Sequence, residues 1–414
     1  MPDDRRAVVT GLGVVCALGV TESAFWESLL AGRSGIGPVT RFDAAGYRTR
    51  VASEIDDAAL GPALKARKIR PTDRSVDIGL LAAAQALESA GLASPDRAPE
   101  PQEVTTIFGT GAGPSDSAFA GTRSFLERGL AGLRPSTVPT VMINAVSAQI
   151  SLRYKLRGPN WVVASACASS TAAIGQAFRL VRAGHAERVL AGGTDAILNP
   201  LAFGAWNNLG VMSANPDPDT ACRPFDVDRD GLVLGEGAAA LVVESLAAAR
   251  ARSAAIRAEI LGFGESSDAE HITRPDPDGQ ARAIAAALAS AGLRPADVGF
   301  INAHGSATPA NDTCESDAIR RVFGAAADRI PTASSKSYFG HTLGACGALE
   351  TAATLLALAH GLVPGNRNLH HPDPQCAIRL VGRAPEAVSA RVAIKNSFGF
   401  GGHNAVLVLG RFED

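Results

Sequence analysis

Apolar residues in this chain fall in short continuous blocks: Ala7-Val8-Val9-Thr10-Gly11-Leu12-Gly13, then Val104 to Phe108, Trp161 to Ala164, Val189 to Ala191, Ala238 to Val243, Val298 to Ile301 and Val406 to Leu409. Blocks this short, with this β-branched content, predict strands buried on both faces. Ala-rich stretches with helical spacing lie between several of them, beginning with a helix from about Thr21 to Ala31. The pattern predicts an α/β protein whose mixed sheet is covered on both sides.

The order of elements repeats. In the first half a helix from Leu81 to Ala90 ends in Ala90-Gly91-Leu92 before the strand Val104 to Phe108; in the second, Ile284 to Ala291 ends in Ala291-Gly292-Leu293 before Val298 to Ile301. The helical stretches after Cys167 and His341 end at Ala183-Gly184 and His360-Gly361, each glycine suited to a C-terminal cap. Both stretches are rich in small residues, so they can pack closely against each other. The expectation is a duplicated α/β unit whose two copies meet near Cys167 and His341. The division falls near Arg252 to Ile256, giving halves 1–255 and 256–414, with Ile256 to Phe263 the counterpart of Ala7 to Leu12. A chain of 414 residues exceeds the usual domain of about 100 to 200 and accommodates two such units.

Composition narrows the class. With 46% hydrophobic and 19% charged residues and a formal charge of -2, the chain is neither disordered nor broadly basic, which argues against a nucleic-acid binder. Met1-Pro2-Asp3-Asp4-Arg5-Arg6 lacks an apolar export signal, and no uncharged apolar run reaches the roughly 18 residues of a membrane span, so a cytoplasmic protein without membrane insertion is expected. The six cysteines, at 16, 167, 222, 314, 346 and 376, show no C-x-x-C pair and read as reduced thiols rather than disulfides or zinc ligands.

Three distant segments carry chemistry: Ser165-Ala166-Cys167-Ala168-Ser169-Ser170, Asn302-Ala303-His304-Gly305-Ser306-Ala307-Thr308-Pro309 and Ser335-Lys336-Ser337-Tyr338-Phe339-Gly340-His341. Cys167 follows a strand and opens a helix, where the dipole and free N–H groups favour a thiolate and an oxyanion. The other five cysteines read as small buried hydrophobes. His304 would project from a strand end, and His341 from a helix start that disfavours imidazolium. Two neutral imidazoles can hold one carbonyl oxygen and so stabilise an enolate. Lys336 and Glu350 flank His341, and a buried lysine calls for a carboxylate partner. His370-His371 lacks further ligands at metal spacing, so no metal is expected. Gly109-Thr110-Gly111-Ala112-Gly113 lacks dinucleotide-loop spacing. Phe398-Gly399-Phe400-Gly401-Gly402 places glycines around an aromatic ring, which suits a movable wall beside a site.

Taken together, Val9-Thr10-Gly11-Leu12-Gly13, Ala166-Cys167-Ala168, Gly192-Gly193-Thr194-Asp195, Arg223-Pro224-Phe225-Asp226, Asn302-Ala303-His304-Gly305, Lys336-Ser337, Gly340-His341 and Asn396 to Gly402 resemble the elongating β-ketoacyl synthases of dissociated fatty-acid and type II polyketide systems, over nearly the whole chain. The resemblance implies the thiolase fold, a five-layered αβαβα arrangement of two similar halves, and an obligate dimer, either of two copies or with a chain-length factor. It implies that Cys167 accepts the acyl chain, that His304 and His341 serve decarboxylation and condensation, and that Lys336 and Glu350 support them. The N–H groups of Cys167 and Phe400 would form an oxyanion hole, with Phe400 gating the malonyl side and Phe398 beside it. Ser306 and Thr308 would bind the pantetheine arm of an acyl carrier protein. No cofactor is implied. Carrier proteins of such systems are acidic, so Lys65, Arg67, Lys68 and Arg70 form a candidate docking patch.

Some positions depart from the family pattern. Ser165 replaces a common Thr, Ser306-Ala307 replaces Thr-Ser, and Tyr338-Phe339 replaces Met-Thr, which suggests an altered pocket wall. Ala112 stands where a bulkier aliphatic residue often closes the acyl tunnel, suggesting a longer or wider tunnel. Competing readings are a chain-length-factor subunit or a scaffold, which would not need Cys167, and priming ketosynthases or thiolases, which replace one of the two histidines.

Overall fold

The computed structural model describes residues 3–96 and 99–413. The first half contributes strands β1 (Ala7–Cys16), β2 (Thr105–Gly109), β3 (Asn160–Val163), β4 (Arg188–Asp195) and β5 (Gly237–Ser245), with helices α1 (Arg74–Ser89), α2 (Ser115–Arg128) and α3 (Ser169–Ala183). The second contributes β6 (Ala258–Ser267), β7 (Phe300–Asn302), β8 (Thr332–Ala333), β9 (Val392–Gly399) and β10 (His403–Gly410), with α4 (Pro277–Ala291), α5 (Pro309–Phe323) and α6 (Cys346–His360). The strands run in the order β8-β7-β9-β10-β6-β1-β5-β4-β2-β3. Each half is therefore the same five-stranded sheet, and each strand of the first half has its counterpart five strands later. Parallel and antiparallel pairings repeat in the same places. Among the described residues, the two sheets are joined edge to edge where Ala7, Val8 and Val9 pair with Ile260, Glu259 and Ala258.

Alternate residues of one strand enter different layers, which is why the apolar blocks are continuous. Ile107, Val189, Leu241 and Leu407 point into the core between the sheets. Their neighbours Phe108, Leu190 and Val242 face an outer core of the first half, and Val406 and Val408 one of the second. Helices α3 and α6 fill the space between the sheets, while α1 and α4 cover the outer faces, completing the αβαβα layering. The duplication extends to the backbone packing. A Cβ at Gly11 or Gly13 would lie 2.1 and 2.0 Å from the carbonyl oxygens of Ala86 and Ala82 in α1; one at Gly262 or Gly264 would lie 2.5 and 2.3 Å from those of Ala287 and Ala283 in α4. Only glycine admits a helix that close to the sheet.

Several expected elements shift. Val298 and Gly299 follow the 3₁₀ turn Pro295–Asp297 outside the strand, which begins at Phe300, and the block from Ile256 starts its strand at Ala258. Strand β9 runs unbroken through Lys395 and Asn396, whose polar side chains interrupt the apolar run that would have marked it. The 18-residue window Leu343–His360 is long and apolar enough to cross a membrane by composition, yet 89% of it is buried in the core. Between β2 and β3 lies a long insertion. Its α2 has no buried residue, and Phe125, Leu126, Leu130, Val138, Met142 and Ile143 are exposed on and after it. The edge strand β3 beside it exposes Trp161.

Candidate active site

Cys167 sits in a single 3₁₀ turn, Ala166–Ala168, that joins directly to α3. Ala166 adopts φ 48°, a left-handed conformation unusual for alanine, and Ser169 Oγ ties the turn by donating to Ala166 O at 2.6 Å and accepting from Ser165 N at 2.9 Å. The chain at Gly399 presses on this turn: a Cβ there would lie 3.1 Å from Cys167 N and from Ser165 O. The glycine thus brings the Phe400 segment against the backbone of Cys167. Burial pushes the other thiols up, those of Cys16, Cys222 and Cys314 to about 12 and those of Cys346 and Cys376 to about 11, so they stay protonated.

His304 follows β7 at a strand end, as its context predicts. Its backbone N–H and that of Gly305 each donate 2.8 Å bonds to the two oxygens of Glu315, which projects from α5 and also accepts from Asn396 Nδ2 at 3.0 Å. Lys336 Nζ lies 3.3 Å from His304 Nδ1, donates to His304 O at 2.5 Å, and pairs with Glu350 Oε1. Both partners of that ion pair are fully buried, so the expected pairing is a core contact rather than a surface one. Burial acts to lower the Lys336 pKa, but Glu350 outweighs it and holds the ammonium firmly charged. The same burial, reinforced by Lys336, drives the His304 pKa well below its ordinary value and keeps its ring neutral.

His341 Nδ1 accepts the N–H of Leu343 at 3.0 Å. An Nδ1 occupied as acceptor leaves the proton on Nε2, and the ammonium beside His304 Nδ1 selects the same tautomer there. The two rings meet edge-on with centroids 5.4 Å apart, and Phe398 packs edge-on against His304 at 6.1 Å. Cys167, both histidines, Ser306, Thr308 and Phe400 line one cavity. Ser306 and Thr308 share a 2.8 Å hydroxyl contact at its wall, and Phe400 stacks on Trp206 at 5.7 Å.

Other expected residues lie elsewhere. Tyr338 and Phe339 do not alter the pocket wall: both are fully buried, and Phe339 packs on Phe25 at 6.1 Å, because the short helix Lys336–Phe339 turns them into the core. Ala112 does not line the cavity; it is exposed in the loop after β2, its N–H donating to Asp195 Oδ1 at 3.1 Å. In the proposed docking patch, Lys65, Lys68 and Arg70 are exposed, whereas Arg67 is bound to Glu88 at 2.7 Å; none of the four lines the cavity.

Three groups were not anticipated. Glu315 anchors the His304 turn. Asp195, whose carboxyl burial lifts to about 6, accepts from Thr110 Oγ1 and from the N–H groups of Gly111, Ala112 and Gly344, tying the loop after β2 to the segment after His341. Asp268 and residues 271–275 form one rim of the cavity, held to the glycine loop by Gly401 N–H to Ile272 O at 2.7 Å and to β10 by Asn404 Nδ2 to Asp268 at 2.6 Å. A carboxylate closing a buried strand was a readable signal for Asp195; no motif marks the rim.

Sequence models of the β-ketoacyl synthase N-terminal and C-terminal domains match residues 4–249 and 257–370. The chain is 41% identical to a 3-oxoacyl-[acyl-carrier-protein] synthase 2 of Coxiella burnetii, over 100% of both chains, and 39% identical to one of Synechocystis, over 99% of both. Among solved structures it is similar to the ishigamide ketosynthase/chain length factor, with TM-score 0.91 and 35% identity, covering 99% of this chain and 100% of that one. It is also similar to a type II polyketide synthase ketosynthase, bound to the hexaketide in complex with its acyl-carrier protein, with TM-score 0.88, 29% identity and the same coverage.

Proposed function

The chain belongs to the β-ketoacyl synthase family, and from that premise we propose that it joins an enzyme-bound acyl thioester to malonyl-acyl carrier protein by decarboxylative Claisen condensation, giving 3-oxoacyl-acyl carrier protein. The observation that carries this reading is one cavity lined by Cys167 and by two imidazoles, His304 with Lys336 Nζ beside its Nδ1 and His341 with a backbone N–H donated to its Nδ1, an arrangement that leaves both Nε2 positions to carry the protons. In the proposed sequence, the Cys167 thiolate attacks the acyl thioester, its carbonyl oxygen held by the N–H groups of Cys167 and Phe400, and the carrier thiol leaves with a proton. Malonyl carrier protein then enters, its pantetheine arm bound by Ser306 and Thr308. The bond to its carboxylate breaks, carbon dioxide departs, and the electron pair passes to an enolate whose oxygen accepts from His304 and His341. The enolate carbon attacks the acyl carbonyl on Cys167, and collapse expels the thiolate. Lys336 and Glu350 hold His304 in place throughout. The scheme uses no cofactor.

Incubation with malonyl carrier protein and a series of acyl carrier proteins, read by intact mass, tests the proposal. Acylation at Cys167 followed by release of 3-oxoacyl product is the expected result; a protein that never becomes acylated would support a chain-length-factor or scaffold role instead. Fatty-acid and type II polyketide elongation share this chemistry, and the accepted chain length separates them.

The division at residues 1–255 and 256–414 is part of this proposal, since the duplicated sheets then each hold one set of groups. So is a partner of the same fold, over the apolar surface around Leu126 and Leu130 and the edge strand β3. A native mass of twice the chain supports a homodimer; a monomer that gains activity with a chain-length factor supports a heterodimer. Gly113, next to Ala112, lies against Ile143 of that surface, so a partner covering it would also close a tunnel at Ala112. The Ala112→Ile variant is expected to release shorter products, and unchanged product length would remove Ala112 from the tunnel. Lys65, Lys68 and Arg70 remain the candidates for an acidic carrier protein, which a cytoplasmic location would supply.

A further inference from the structure

Glu350 faces two lysines. Lys336 meets its Oε1, and Lys395, from the middle of β9, brings Nζ to 2.9 Å from Oε2. Lys395 is fully buried, and its remaining contacts are hydroxyls: Thr171 Oγ1 of α3 at 2.9 Å and Ser397 Oγ of β9. Those two hydroxyls lie 2.8 Å from each other. An ammonium thus sits where the central helices α3 and α6 and strand β9 converge, ringed by three oxygens. The arrangement places two positive charges on a single buried carboxylate, which packing alone does not call for, since an apolar side chain would fill the same place without desolvating a charge.

We propose that Lys395 is a positioning residue of the active site: its tethered ammonium clamps the outer oxygen of Glu350, and so fixes the carboxylate that presses Lys336 onto His304. This role rests on the functional reading above. Without Lys395, Oε2 would be a buried carboxylate oxygen with no cation, free to rotate away from Lys336. The backbone carbonyl of Glu350 is already gripped by Asn302 Nδ2 at 3.1 Å, so the carboxylate is the part left to be held. The two lysines together also add positive potential at His304, which after burial helps keep that imidazole neutral.

The test compares malonyl carrier protein decarboxylation in wild type, Lys395→Met and Lys395→Ala, with and without added methylammonium or the larger tetramethylammonium. Lys395→Met is expected to lose about 100-fold in decarboxylation, the scale of a misplaced catalytic group, with a smaller loss in Cys167 acylation. Lys395→Ala leaves a space lined by the same three oxygens; methylammonium is expected to restore most of its rate and to raise its melting temperature, while tetramethylammonium does neither. A Lys395→Met enzyme that decarboxylates at the wild-type rate would overturn the proposal. So would a Lys395→Ala variant whose rate and melting temperature ignore methylammonium, since a purely structural lysine predicts that result. A wild type without decarboxylation would overturn the functional reading and this role with it, and is distinguished by being seen before any variant is scored.

Discussion

Cys167→Ala is expected to abolish acyl transfer and condensation, by about 10⁴-fold or more, because no other thiol can replace it. Every other cysteine is held protonated by burial, and Cys346, although within 3.4 Å of His341 Nδ1, lies on the protein side of that ring. Decarboxylation should survive the substitution. In the proposed mechanism its enolate is held by the Nε2–H groups of His304 and His341, and neither ring hydrogen-bonds Cys167 through the nitrogen that fixes its tautomer. Measured by intact mass and by carbon dioxide release, the variant should therefore show no acyl adduct alongside continuing malonyl breakdown. Loss of both activities together would mean that the thiol and the imidazoles do not act as separate groups.

The largest stability effect is expected at Glu350. In Glu350→Leu, two ammoniums would be left in a fully buried space without their shared carboxylate, a change of about 3 to 5 kcal/mol. The sign of its pH dependence follows. Burial already depresses the Lys395 pKa in the presence of Glu350, and removing the carboxylate depresses it further, so the folded variant binds fewer protons than the unfolded chain. Stability of the variant should then rise as pH increases toward the unfolded lysine value of about 10.4, and its deficit against wild type should shrink. Thermal melts across that range check this. A deficit that stays constant with pH would show that lost packing, rather than unpaired charge, dominates.

Local pattern was sufficient for much of this molecule. Continuous apolar blocks belong to strands buried on both faces, and the helix caps at Gly184, Gly292 and Gly361 are glycines in the left-handed conformation. The repeat was legible because both halves solve the same packing problem with the same residues, glycines in the first strand facing alanines in the covering helix. Cys167, His304, Lys336 and His341 were legible because each stands beside small residues where an element begins or ends. The orientation of Tyr338 and Phe339 was not, since a short helix can present a large ring to a pocket or to the core, and only packing against Phe25 selects the core.

The chain's own order of residues determined the strands, the duplication, the candidate nucleophile, the two candidate imidazoles and the buried pairing of Lys336 with Glu350, because these depend on spacing and on the rule that a buried charge needs its opposite. Tertiary structure decided the rest. Glu315 lies 11 residues from His304, and the hydrogen bonds between them need α5 folded back over β7. Asp195 joins groups 85 and 149 residues away. Lys395 reaches Thr171 across 224 residues, a contact that exists only because two copies of one sheet enclose the same pair of helices.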